Sequence, residues 1–420
     1  MIDIRLLRDD PDAVVAALGR RGIAEAEVRK LAGLDEVRRS LVQAVDEARA
    51  IQKEASRRIG TAPDDERDAL IEQAAMLKEE VATLEAELAA AESGLSSRLA
   101  VIPNVPSPAA PDGEEGDGVV LRTVGDAPSF EFEPRSHVEL MEAADAVDLE
   151  RGARVSGSRF AYLKGDGALL EFALVRHALD VAMRHGHVPV IPPVLVREEA
   201  MYATGFLPTD EQQIFRTDDR DDLYLAGTSE VPLAALHMDE ILDANKLPVR
   251  YAGFSTCFRR EAGTYGKDTA GIFRVHQFDK VELFSFVDPA DGEAEHERIL
   301  AIEEEIFTGL GLHYQVVDIP VGDLGASAAR KFDLEAWIPS HGRFREVTSC
   351  SNTTDYQARR LKCRVRREGG TDLVHTLNGT AVAIGRAIIA IVETHQRADG
   401  TVAVPEPLVP HLGREVLFEP

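Results

Sequence analysis

Cysteine is scarce in this chain: Cys257, Cys350 and Cys363 are the only three among 420 residues. An odd number cannot pair completely and no C-x-x-C occurs, which argues against a disulfide scaffold and against a cysteine-rich zinc site. The three read as reduced thiols. Long apolar runs are missing too, with nothing near the ~18 consecutive residues that cross a bilayer, so no membrane partner is expected. Met1 to Asp10 scatters Asp3, Arg5, Arg8, Asp9 and Asp10 among its apolar residues, which leaves no signal-peptide core and predicts a cytoplasmic protein. G-x-x-x-x-G-K-[ST], G-x-S-x-G, H-E-x-x-H and a strand followed by G-x-G-x-x-G are all absent, so the common nucleotide and hydrolase readings drop out. Positive charge is also in short supply. Lys and Arg number 47 against 73 Asp and Glu, a formal net charge of −26, which favours solubility and on its face weighs against a nucleic-acid partner.

What is present points to two domains. A length of 420 residues exceeds the ~300 at which one core stops growing, and 44% hydrophobic residues suffice to bury substantial cores. Near the N-terminus Leu34, Val37, Leu41, Ala44, Ala48, Ile51 and Ala55 alternate spacings of three and four. So do Leu70, Ala74, Leu77, Val81, Leu84, Leu88, Ala91 and Leu95. Gly60 and Pro63 break the first helix, and Asp64 and Asp65 offer N-cap oxygens to the second, so the two predict an antiparallel hairpin with facing seams. At ~1.5 Å per residue each helix reaches ~50 Å, too thin for a core and long enough to touch something distant.

The two helices differ in charge. From Val28 to Arg58, eight basic residues (Arg29, Lys30, Arg38, Arg39, Arg49, Lys53, Arg57 and Arg58) meet five acidic ones, giving +3. From Asp64 to Leu99, ten acidic residues meet three basic, giving −7. Such a pattern suits a solvated coiled coil, or a helix that meets phosphates on its basic side. Binding responds to charge within a Debye length of ~8 Å, so the whole-chain sum does not decide between them.

The stretch from Ile102 to Gly118 is rich in Pro, Gly and acidic residues and reads as a connection. We therefore place a first domain at 1–101 with its arm at about 28–99, a connecting segment at 102–135, and a second domain at 136–420. The second domain predicts helices at Gly167–His185, Glu293–Gly309 and Ala383–Gln396, with an extended segment at Val188–Val196. Strands are expected around Leu223–Leu225, Ala252–Arg259, Lys280–Val287, Leu334–Trp337 and Gln357–Arg366. The fold class is α+β with a mostly antiparallel sheet.

Chemistry concentrates in that second domain. Phe258-Arg259-Arg260-Glu261 ends one strand, a Gly- and Lys-rich loop from Ala262 to Gly271 follows, and Phe273 to Glu282 leads into the next strand. The unit brings Arg259 and Arg274 toward one surface with Phe278 and Glu282. Guanidinium forks suit phosphate, an aromatic face suits a base, and a carboxylate suits an ammonium or hydroxyl group. Glu346-Val-Thr-Ser349-Cys-Ser-Asn352 offers a carboxylate and hydroxyl oxygens that suit Mg²⁺, or a capped turn. Arg386 stands alone in an apolar helix and needs an anion or a carboxylate beside it. Arg359, Arg360, Lys362, Arg364, Arg366 and Arg367 form a second basic cluster, which reads as an acceptor-stem contact or as a charge-protected edge strand.

In this order the residues resemble the bacterial-type seryl-tRNA synthetases, a class II aminoacyl-tRNA synthetase family, and the resemblance runs from the arm to Pro405-Glu-Pro-Leu-Val-Pro. Phe258-Arg259-Arg260-Glu261, continued by 273–282, resembles the second class II motif, and Ala383-Ile-Gly385-Arg386 the third, of whose glycines only Gly385 is kept. His185-Gly-His-Val-Pro-Val-Ile-Pro-Pro resembles the first, which makes the family's dimer interface. Thr228-Ser229-Glu230 resembles the Thr-x-Glu element of the serine pocket.

The resemblance implies an N-terminal antiparallel coiled-coil arm and a class II catalytic domain whose sheet is flanked by helices. It implies a two-step serine–tRNA ligase reaction: serine and ATP give seryl-adenylate and diphosphate, and the 3′-terminal ribose hydroxyl of tRNA then takes the acyl group. Arg259 would bridge the serine carboxylate and the α-phosphate, and Arg259 and Arg386 would be the catalytic pair. Glu261 would orient the adenine amino group, Phe278 would stack the ring, and Arg274 and Arg386 would hold the outer phosphates. Arg260, Val275, Val347 and Thr348 would complete the ATP site. Glu346 and Ser349 would hold Mg²⁺, with no zinc expected. Glu282 with Thr380 would take the serine hydroxyl, Thr228 and Glu230 the ammonium, with Ser229 and Asn378 beside them. The basic arm helix, through Arg29, Lys30, Arg38, Arg39, Arg49, Lys53, Arg57 and Arg58, would meet the long variable arm of tRNA(Ser), and of tRNA(Sec) by the same feature. The expected assembly is a homodimer through the catalytic domain.

Three other readings compete. Synthetases for threonine, proline, glycine or histidine share the motifs without this hairpin. A homologue that loads a carrier protein would lack the arm. A noncatalytic coiled-coil protein would not need Arg259, Glu346 and Arg386.

Overall fold

The structure is a computed structural model that describes residues 1–218, 220–263 and 271–419. Most of the loop from Ala262 to Gly271 lies outside the described residues. The chain divides into two compact units, one of Ile2–Val105 and one of Met1 with Pro106 onward.

The first unit is built on two long helices, α1 (Glu25–Ile59) and α2 (Asp64–Val101), of 35 and 38 residues. They pack against each other along their length, behind two short helices at Ile4–Asp9 and Pro11–Gly19. In α2 every expected seam residue, from Leu70 through Val81 to Leu95, is buried or half-buried. In α1 the expected Ala48 and Ala55 are buried and Leu34, Leu41 and Ala44 half-buried, but the seam departs at two positions. Val37 and Ile51 are 52% and 56% exposed, while Val28, Leu31, Asp35, Val45, Ala48 and Ala55 are buried. The seam also holds a charged residue, Asp35, which is 1% exposed. Arg8 meets it at 2.6 Å, Arg38 at 3.1 Å and Arg39 at 3.2 Å, and this triple pairing offsets its desolvation. A hydropathy pattern steps over such a residue. The start of α2 also departs from expectation. Pro63 occupies the N-cap position and no side chain caps the helix, so Asp65 lies inside the first turn; the side chain of Asp64 lies outside the described residues.

The second unit carries an eight-stranded sheet: β1 (Val119–Val124), β2 (Val188–Val190), β3 (Val249–Phe258), β4 (Gln277–Val287), β5 (Tyr314–Asp318), β6 (Arg330–Ile338), β7 (Arg343–Asn352) and β8 (His375–Ala383). Its spatial order is β1-β5-β6-β7-β8-β4-β3-β2. Every junction is antiparallel except β2 with β3. The segment expected to connect the domains thus supplies the edge strand β1. Three helices, α3 (Gly165–Arg184), α5 (Gly292–Gly309) and α7 (Ile384–Thr394), cover one face of the sheet, with α4 (Glu230–Ala235) and α6 (Tyr356–Leu361) elsewhere in the unit. Their apolar residues, among them Leu170, Ile299, Ile306, Ile388 and Ile391, form one core with Val281, Leu283, Phe332 and Leu334 of the strands. Alternation along a strand sends the intervening side chains to the other face. At the far end of α7, Glu393 accepts from the backbone N–H of His137 at 3.0 Å and from that of Ser340 at 2.9 Å. Its Oε1 also bonds His137 Nδ1 at 2.8 Å and the Ser340 hydroxyl at 3.0 Å.

Two strand expectations fail at the basic cluster. Gln357 to Leu361 is helical within α6, which ends at Lys362 with φ +55°, and only Arg364–Arg367 is a strand. That strand is central in a three-stranded sheet, between Ile241–Asp243 and Gly370–Leu373, so it is not an edge protected by charge. Arg360 is buried, stacked between the rings of Tyr202 and Tyr356 at 4.7 and 4.6 Å.

Candidate active site

A cavity of about 280 Å³ opens on the face of the sheet away from the helical core. Phe278, Lys280 and Glu282 line it from β4 because residues two apart share a face. Asn378 and Thr380 line it from the neighbouring β8. On β7 simple alternation would separate Glu346 from Ser349, yet both line the cavity. The register of β6 with β7 slips between Leu334 and Glu335, leaving Val347 as an extra residue, and this bulge returns Glu346 to the cavity side. Arg259 enters from the end of β3, and Glu230, the first residue of α4, from the side.

At the deepest point Glu282 is fully buried. Asn378 Nδ2 donates to its Oε1 at 3.0 Å, Thr380 Oγ1 lies 3.4 Å from Oε2, and Lys280 pairs with Oε2. Lys280 also donates to Thr228 Oγ1 at 2.7 Å. Asn378 Nδ2 lies 3.4 Å from Glu230 Oε2 and so stands between two carboxylates. Burial and the nearby Glu282 raise the Glu230 carboxyl to about 7, against the opposing pull of Gln357, Lys280 and Arg259.

The outer part is held by paired arginines. Arg259 donates from Nε to the Gly227 carbonyl at 3.0 Å, and its guanidinium lies 5.3 Å from the centre of the Phe278 ring. Arg274 pairs with Glu261 at 2.7 Å. Arg386 in the first turn of α7 finds the expected carboxylate: Glu346 lies 3.1 Å away, and the same guanidinium donates to the Glu346 carbonyl at 3.0 Å. Desolvation would raise the Glu346 carboxyl, but Arg386, Lys331 and Arg259 outweigh it and lower it to about 2.

The structure therefore gathers Thr228, Glu230, Arg259, Glu261, Arg274, Val275, Phe278, Glu282, Glu346, Val347, Thr348, Ser349, Asn378, Thr380 and Arg386 around one cavity. It does not bring Ser229 or Arg260 there. The Ser229 hydroxyl is buried and bonds the Gly253 carbonyl at 3.2 Å. Arg260 turns away to the Ile214 carbonyl at 2.7 Å and the Phe215 ring at 4.9 Å. Sequence reasoning missed Lys280 and Lys331, both on the cavity wall. Lys280 was legible, since it stands two residues from Phe278 and two from Glu282 on one strand.

A divalent cation is implied by the resemblance, and the donors fit one. Glu346 is held ionised, Ser349 offers a hydroxyl, and oxygen-only donors suit a hard cation shared with phosphates. No cluster of three or more His, Cys, Asp or Glu side chains poised to hold an ion occurs among the described residues.

In the other unit the basic residues of α1 fall into two groups. Arg29 pairs with Glu25 and Asp12, Arg38 and Arg39 with Asp35, Arg49 with Glu85, and Arg57 lies 3.6 Å from Glu54. Lys30, Lys53 and Arg58 are exposed, with no ion pair among the described residues.

Two family models match the chain: "Seryl-tRNA synthetase N-terminal domain" over residues 1–106, and "tRNA synthetase class II core domain (G, H, P, S and T)" over 214–395. The serine–tRNA ligase of Acidothermus cellulolyticus is 54% identical over 99% of both chains. That of Nocardia farcinica is 53% identical over the whole of both. Among solved structures, the seryl-tRNA synthetase of Pyrococcus horikoshii complexed with ATP superposes with a TM-score of 0.94 at 39% identity, covering 99% of each chain.

Proposed function

The chain belongs to the seryl-tRNA synthetases, the class II aminoacyl-tRNA synthetases that act as serine–tRNA ligases, and from that premise we propose how its cavity works. L-Serine and ATP react there to give seryl-adenylate and diphosphate, and the 3′-terminal hydroxyl of tRNA(Ser) then takes the seryl group. The observation that carries this reading is the buried Glu282, held by Asn378, Thr380 and Lys280 at the bottom of a cavity whose mouth bears Arg259, Arg274 and Arg386. A small amino acid with a hydroxyl suits the bottom, and a polyphosphate suits the mouth.

The serine hydroxyl meets Glu282, flanked by Thr380. The ammonium group meets Glu230 and Thr228, where its arrival favours the ionised form of a carboxyl poised at about 7. Arg259 draws the serine carboxylate toward the α-phosphorus and spreads the charge that grows there, which is transition-state stabilisation without a protein nucleophile. Glu261 orients the adenine, Phe278 stacks it, and Arg274 and Arg386 hold the outer phosphates. Glu346 and Ser349 would hold Mg²⁺, which neutralises phosphate charge when bound. Arg259→Ala should abolish serine-dependent ATP–diphosphate exchange; near-normal exchange would remove Arg259 from the chemistry.

For tRNA, α1 is the basic face, and Lys30, Lys53 and Arg58 are its cations with no ion pair among the described residues. A helix that reads backbone shape suits the long variable arm of tRNA(Ser), and by the same feature of tRNA(Sec). A homodimer through the catalytic unit is supported by an exposed apolar set, with Phe172 at 66%, Val188 at 55% and Ile191 at 86% exposure, in and beside the segment that resembles the first class II motif. The cytoplasm is the proposed location; no helix among the described residues is long and apolar enough to cross a membrane.

A further inference from the structure

We propose that Gln357 is a positioning residue of the serine pocket, holding Glu230 aimed so that it can accept the substrate's ammonium group. The inference rests on the assignment of the ammonium to Glu230 made above. Gln357 lies outside the cavity, in the first turn of α6, and is fully buried. Its Nε2 donates to Glu230 Oε1 at 2.7 Å and lies 3.3 Å from the Thr204 carbonyl. Its Oε1 accepts from Thr376 Oγ1 at 3.0 Å and lies 3.4 Å from Thr353 Oγ1. The Thr353 hydroxyl also reaches the Thr376 carbonyl at 2.7 Å, and Thr353 and Thr376 are themselves fully buried.

Both amide protons and one carbonyl lone pair of Gln357 are thereby engaged, the Thr353 proton going to the nearer Thr376 carbonyl. Turning the amide over would set its carbonyl against the Glu230 carboxylate and the Thr204 carbonyl, acceptor facing acceptor in a dry site. The Thr376 hydroxyl therefore fixes which end of Gln357 faces Glu230. The charged neighbours of Glu230 all lie on the cavity side: Glu282 opposes its ionisation with burial, while Lys280 and Arg259 favour it. Gln357 is the neutral donor on the opposite side, and it stays in place when a substrate rearranges the cavity cations. It gives the pocket a carboxyl whose rotamer is set before serine arrives and whose ionised form it favours.

The test is ATP–diphosphate exchange with the full-length Gln357→Met enzyme, a variant of similar length with no donor. A charge-assisted hydrogen bond of ordinary strength predicts a serine KM raised about tenfold, with ATP KM and kcat at saturating serine within about twofold. The acid limb of the serine KM profile should move up by about one pH unit, as Glu230 then needs a higher pH to ionise. Thr376→Val keeps Gln357 and removes the hydroxyl that orients it; a rise of about threefold in serine KM alone is expected. This milder variant decides the matter should Gln357→Met fail to fold. An unchanged serine KM and pH profile, or equal rises in the serine and ATP KM, overturns the proposal. Glu230→Gln separates the two layers. If it leaves serine KM unchanged, the ammonium assignment fails and this inference with it; if it raises serine KM while Gln357→Met does not, only the role of Gln357 fails.

Discussion

Discrimination between serine and alanine should collapse in Glu282→Gln, and the size of the collapse follows from counting donors. A carboxylate offers about four acceptor positions on its two oxygens. Among the described residues Asn378 takes one on Oε1, and Lys280 and Thr380 share Oε2. One position on Oε1 is left for a substrate hydroxyl. Serine fills it; alanine leaves a buried, ionised acceptor short of one partner. A hydrogen bond to a charged group contributes about 1.5–3 kcal/mol, and a site built for a hydroxyl rejects the analogue lacking it by up to ~10⁴-fold. The amide in Glu282→Gln keeps the shape but removes the charge that balances Lys280. Serine kcat/KM should fall about 10²-fold or more, and alanine kcat/KM by less than about tenfold. Exchange assays with each amino acid, with ATP saturating, measure both. Equal falls for the two amino acids would refute the reasoning, because they would place the hydroxyl elsewhere.

Other consequences can be checked independently. Asp35→Ala strips three arginines of their shared partner and should destabilise α1 by about 2 kcal/mol, less than a buried pair because those arginines are partly exposed; hydrogen exchange of α1 amides in the full chain reads this. The Arg8 bond, against the cost of burial and with help from Arg38, holds the Asp35 carboxyl below its ordinary value of 3.8, so this stabilisation is present above about pH 4 and is lost as pH falls further. Gly379→Ala would set a Cβ 2.3 Å from Ile299 Cγ2 and 2.7 Å from Glu303 Oε1, and should cost about 3 kcal/mol in denaturant unfolding as well as raise serine KM through Asn378 and Thr380. Replacing Lys30, Lys53 and Arg58 together by Glu should raise tRNA KM at least about tenfold and flatten its salt dependence, with exchange unaffected; unchanged charging would give the arm another task.

Much of this was readable in the residues, and the failures have physical causes. The α2 seam was legible at all eight positions because only apolar residues occupy it. The α1 seam was legible at Leu34, Leu41, Ala44, Ala48 and Ala55 but not at Val37 and Ile51, and there a paired aspartate, Asp35, carries burial that periodicity assigns to hydrophobes. Phe278 and Glu282 could be placed on one face by alternation, whereas the sharing of a face by Glu346 and Ser349 depends on the Val347 bulge, which has no glycine or proline to announce it. The α6 turn was read as strand: its six residues are too few for a helical period, and its left-handed stop falls on a lysine. Gln357 was thereby placed on the wrong element and its contact with Glu230 went unseen.

The grip on Glu393 has a thermal consequence for Arg386, which stands seven residues before it on the same helix, about 10 Å along the axis. Hydrogen bonds from two separate segments, through His137 and Ser340, fasten that end of α7, so the helix can neither slide nor roll as a body. The guanidinium keeps only its own side-chain torsions. The freedom lost when Arg386 closes on an anion is then that of one side chain, and little of the entropy change on nucleotide capture belongs to the helix.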